Sequence, residues 1–109
     1  MRNAVEVVAK RVLSGTVVRW TTPDWAPLEA LIACERLGDF MWMFEVALED
    51  GALVEVYKHG VTRRYLHLDH GSRAFYYDEG RYREVDRQSA AAAVFRTGLA
   101  KRSGFNDTS

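Results

Sequence analysis

The chain has 109 residues, 48 % of them hydrophobic and 28 % charged, and its 15 Lys and Arg balance 15 Asp and Glu. That length suits one domain able to bury roughly two-thirds of its unfolded surface. Zero net charge argues against a protein dominated by nucleic-acid or membrane-surface electrostatics. No apolar run approaches the ~20 residues of a membrane-spanning helix. The first 13 residues carry charges where a signal peptide would have an apolar stretch, so the expected location is cytoplasmic.

Residues 3–13 have helical spacing, with Val5, Val8, Ala9, Val12 and Leu13 on one stripe, Asn3 as a cap and Glu6 three residues on. Gly15 ends that helix, and Thr16 to Trp20 is β-prone. Asp24 is the expected N-cap of a second helix, with Pro27 in its first turn, Trp25, Leu28, Leu31 and Ile32 on its apolar stripe, and Gly38 at its end. The single cysteine, Cys34, lies in this segment and is expected to be a buried thiol.

Residues 40–85 read as an antiparallel meander whose runs are rich in β-branched and aromatic residues and are broken by Glu49-Asp50-Gly51, His59-Gly60, Asp69-His70-Gly71-Ser72 and Asp78-Glu79-Gly80. A three-residue loop with Gly51 in the left-handed conformation opposes Val46 to Val54, Phe44 to Val56 and Trp42 to Lys58. One face is then apolar, which favours this register over a two-residue loop. Sending Leu66 and Leu68 to the same core leaves Tyr57, His59, Arg63, Tyr65 and His67 on the outer face, with Glu45 and Glu55 nearby. Trp42 and Phe44 join the core. Met41 and Met43 form an apolar patch with Tyr57 if their face is open. The short, charged run 81–85 suits an edge strand. Ser89 caps a third helix over 89–99, and residues 100–109 form a frayed tail.

The expected fold is therefore α+β. A single antiparallel meander of four to five strands (40–85) carries two to three helices on one face, contributed by an N-terminal helical region (1–38) and the C-terminal helix.

His67-Leu68-Asp69-His70 looks like a metal motif, but strand parity sends His67 and His70 to opposite faces, and zinc wants three or four converging ligands. No Gly-rich phosphate loop, Ser-centred elbow or Cys pair is present, so no metal or cofactor is expected. Tyr, Arg and His are enriched at binding hot spots. The leading expectation is thus a small interaction or regulatory module that binds through Tyr57, His59, Arg63, Tyr65 and His67, with a protein partner or a second copy. Arginines over 63–87 are largely offset by carboxylates, which supports nucleic acid only weakly. The alternative is a small metal-independent ribonuclease-like enzyme. On that reading His67 or His59, Arg63 and Glu55 would divide proton transfer and charge stabilisation between them.

Overall fold

The computed structural model describes residues 12–96. Its elements are β1 (Val12–Leu13), β2 (Gly15–Arg19), α1 (Ala26–Glu29), a 3-10 segment (Cys34–Asp39), β3 (Phe40–Leu48), β4 (Leu53–His59), β5 (Tyr65–Asp69), β6 (Ala74–Asp78), β7 (Arg81–Val85) and α2 (Arg87–Val94). All the strands form one seven-stranded sheet in the order β1-β7-β6-β5-β4-β3-β2, and every pairing is antiparallel. This corrects the α+β expectation of a four-to-five-strand sheet with helices on one face: the domain is mostly sheet, curled into a nearly closed barrel.

The closing piece joins the end of the predicted first helix, Val12–Leu13, which is a strand instead, to the run read as β-prone, which forms β2. Val12 and Leu13 pair with Arg83 and Tyr82 of β7, and after Ser14 the same run pairs Gly15 with Leu48 and Val17 with Val46 of β3. One stretch thus joins the first strand of the meander to the last, and β7 has a neighbour on each side where an edge was expected. Gly15 makes the seam possible. A Cβ there would stand 2.6 Å from Val46 Cγ1 and 3.1 Å from Tyr82 Cε2. The rest of the predicted first helix (3–11), the end of the predicted third helix and the predicted tail (97–109) lie outside the described residues.

Along β4 and β5 both faces of the sheet are buried. Inside, Leu13, Val46, Leu48, Val54, Val56, Phe75 and Tyr82 form one cluster. Outside, Tyr57, Leu66, Leu68 and Ala74 pack with Phe40 beneath Leu28, Ile32, Ala91 and Val94 of the helical segments. The Gly51 loop sets the register expected of it, with Val46 opposite Val54 and Phe44 opposite Val56. A bulge at Met43 then turns Trp42 to the outer face, opposite Tyr57. β5 also differs. His67 lies opposite Val56, and Leu66 opposite Tyr57, so the leucines face outward and the histidine inward. Leucine marks the core face only when the other face meets water, and here neither does.

The helical segments are shorter than their sequence signals. Trp25 rather than Asp24 holds the N-cap position of α1; Asp24 Oδ1 accepts the Ala26 N–H at 3.1 Å from one residue further out, and α1 ends after one turn. Asp86 rather than Ser89 caps α2, its carboxylate accepting the Ser89 N–H at 2.8 Å. Cys34, at the start of the 3-10 segment, is exposed rather than buried.

Candidate functional site

β5 and β6 pair only at His67–Phe75 and Leu68–Ala74. Continuing that register would set Leu66 against Tyr76 and Tyr65 against Tyr77, but the strands have parted there. A cleft of about 790 Å³ occupies the gap. It runs from inner-face residues (Val17, Phe44, His67, Tyr82) past the parted strands to Ala90, Ala93 and Val94 of α2. The nearly closed sheet is therefore slit between β5 and β6.

Aromatic rings line the slit. Tyr65 stacks on His67 (centroids 6.1 Å, 21° between planes) and His67 on Tyr77 (6.3 Å, 29°). Tyr82 meets His67 edge-on at 5.6 Å and lies tilted by 54° against Tyr77 at 4.9 Å. Tyr65, Tyr76 and Tyr77 are about half exposed at the mouth, whereas His67 is buried. Burial pulls the His67 imidazole down to about 4, against a weaker upward pull from a hydrogen bond with the Phe75 backbone. Burial, and then the neighbouring Tyr77, push the Tyr82 phenol up. At neutral pH the walls thus offer uncharged donors and acceptors on an apolar lining, with Arg64 at the rim donating through Nε to the Arg96 carbonyl at 2.9 Å.

Only Tyr65 and His67 of the sequence-selected residues lie here. Tyr57 and His59 sit on the opposite face and are buried, not exposed. The Tyr57 hydroxyl donates to the Asp24 carbonyl at 2.6 Å, and burial pushes its pKa up. His59 braces the β4–β5 turn. Its Nδ1 accepts the Val61 and Thr62 N–H groups, and its ring meets Phe40 and Phe95 edge-on. Arg63 is an exposed residue of that turn, at φ 66°. Met41 is exposed, but Met43 packs on the inner cluster and Tyr57 is covered, so they form no shared patch.

Glu55, fully buried on the outer face, is the centre of a second constellation. Its Oε1 accepts Trp42 Nε1–H at 2.8 Å, with Arg19 Nη2 at 3.4 Å, and its Oε2 lies 2.9 Å from His70 Nε2. Arg19 also holds Glu45, the cross-strand neighbour of Glu55, through two 3.1 Å contacts. Burial and the nearby Glu45 raise the Glu55 carboxyl, while the Arg19 hydrogen bond lowers that of Glu45. The histidine and arginine that meet Glu55 are thus His70 and Arg19, not His59, His67 or Arg63. Within His67-Leu68-Asp69-His70 each polar residue has a separate task. His67 lines the slit, Asp69 accepts from Gly71 and Arg73, and His70 turns to Glu55.

Sequence parity had no means of finding Tyr77 and Tyr82 beside His67, because it depends on knowing that the sheet closes. Arg19 lies in a β-prone run whose place in the sheet is not readable from sequence, and Asp24 is expected there only as a helix cap. Compared with known proteins, the chain matches no family model, no curated protein and no solved structure. Among the described residues no helix is long and apolar enough to cross a membrane.

Proposed function

We propose that the protein is a binding module whose ligand is a small, flat, uncharged aromatic molecule held in the slit between β5 and β6. The ring ladder Tyr65–His67–Tyr77 against an otherwise apolar lining carries this reading. Ligand sites are typically concave, mostly apolar clefts of ~300–1,000 Å³ with a few placed polar groups, and this cleft falls within that range at about 790 Å³. Stacked rings favour a planar guest, and a neutral His67 costs such a guest no ionic desolvation. The reading keeps Tyr65 and His67 from the sequence-selected set and adds Tyr77 and Tyr82.

The test is ligand-observed NMR with indole, quinoline and a purine nucleoside, using the native chain and an Ala93→Trp variant that fills the α2 side of the slit. Saturable binding of at least one fragment, lost in Ala93→Trp, is the expected result. Absence of saturable binding by all three refutes the reading, as does binding that the variant leaves intact. If a second copy occupies the slit instead, light scattering will report a dimer that Ala93→Trp dissociates, and the fragments will not bind.

A further inference from the structure

The second constellation offers three donor atoms to one point. Each carboxylate there uses one oxygen for the fold and turns the other inward. Asp24 Oδ1 is engaged by the Ala26 N–H and Glu55 Oε1 by Trp42 and Arg19. Asp24 Oδ2 and Glu55 Oε2 remain, and both approach His70 Nε2, at 3.6 and 2.9 Å. One ligand atom from each of the three residues lies within 4.8 Å of the other two. Tetrahedral zinc with bonds near 2.0–2.1 Å sets its ligand atoms roughly 3.3 Å apart, so the two contacts of His70 bracket the spacing a metal needs.

Charge supplies an independent argument. Asp24, Glu45 and Glu55 surround a single guanidinium, that of Arg19, which is bound most closely to Glu45. Among the described residues three carboxylates thus meet one guanidinium, and one of the three, Glu55, has no exposed surface. Arg19 is further tied to the Thr21 and Thr22 carbonyls, which fixes the loop that carries Asp24. His70 and Asp24 are partly exposed, at 40 % and 36 % of their side chains, so the three residues can be reached from solvent.

We infer that Asp24, Glu55 and His70 form a binding site for one divalent transition-metal ion of the zinc class, separate from the slit. One imidazole and two carboxylates suit such an ion. The hydrogen bonds of Trp42 and Arg19 to the far oxygen of Glu55 provide the orienting outer contacts that metal-binding carboxylates use.

The test is isothermal titration with Zn²⁺ and visible absorption with Co²⁺, on the native chain and on His70→Ala and Asp24→Asn, whose side chains are partly exposed. Far-UV circular dichroism checks that both variants fold. Stoichiometric binding by the native chain, tetrahedral Co²⁺ bands, and at least ~100-fold weaker binding in each variant are expected, beyond the ~10–100-fold typical of lost outer contacts. Failure of the native chain to bind Zn²⁺ overturns the inference. So does either variant binding within about threefold of native, since that removes its residue from the ligand set. None of these readouts involves the aromatic fragments, so each proposal can fail alone.

Discussion

Replacing His67 by Leu should make the protein less sensitive to acid, by an amount that the structure sets. The imidazole is buried against Tyr65, Tyr77 and Tyr82, and its pKa falls to about 4 from the ordinary 6.5. In the unfolded chain it regains the ordinary value. Between those two pH values the unfolded state binds a proton that the folded state does not, so stability falls as pH falls from about 6.5 to about 4 and levels off below. At ~1.4 kcal/mol per pH unit the whole effect is about 3 kcal/mol, and about 2 kcal/mol of it is spent by pH 5. The other acid-sensitive groups are common to the native chain and His67→Leu, so subtracting one pH profile from the other isolates His67. Urea unfolding followed by tryptophan fluorescence at pH 7, 6, 5 and 4.5 measures the difference, and NMR of the imidazole gives its pKa directly. A stability difference that is constant across this range, or an imidazole titrating near 6.5, would refute the buried, neutral His67 on which the proposed aromatic site depends.

Gly15→Ala should cost about 1–3 kcal/mol, because the new methyl meets Val46 and Tyr82 at the seam of the barrel; denaturant midpoints measure this, and an unchanged midpoint would mean the seam is not closed. Tyr57→Phe removes the 2.6 Å bond to the Asp24 carbonyl and should cost about 1 kcal/mol, with faster hydrogen exchange around α1. Asp86→Ala removes the cap of α2 and should cost about 1 kcal/mol, seen as a fall of roughly 4–8 °C in melting temperature, whereas Ser89→Ala should leave it nearly unchanged.

The turns were the most legible part of the fold, because their chemistry is local. Gly51 adopts φ 94° and Gly80 φ 81°, and the Gly51 loop sets Val46 against Val54 as its sequence requires. Parity held as far as Phe44 and then failed at the Met43 bulge, which inserts a residue without any glycine to announce it. It failed again at β5, where assigning leucine to the core assumed one wet face. Asp24, expected at the N-cap of a helix, lies one residue before it: Trp25 holds that position, and Asp24 Oδ1 accepts the Ala26 N–H. Its second oxygen and its distance from His70 depend on a fold of the loop that no local spacing specifies.

By itself, then, the sequence determined the strands of residues 40–85, their turns and their antiparallel succession, because each depends on residues a few positions apart. Only the tertiary structure decided that residues 12–19 close the sheet, with Gly15 allowing the two ends of the meander to approach. Closure buries both faces along β4 and β5, parts Tyr57 and His59 from Tyr65 and His67, and brings Arg19, Glu55 and His70 together. Those contacts join residues up to 36 positions apart. Their cost in chain entropy is met by the cooperative burial of the whole barrel, and no short stretch of sequence records that sum.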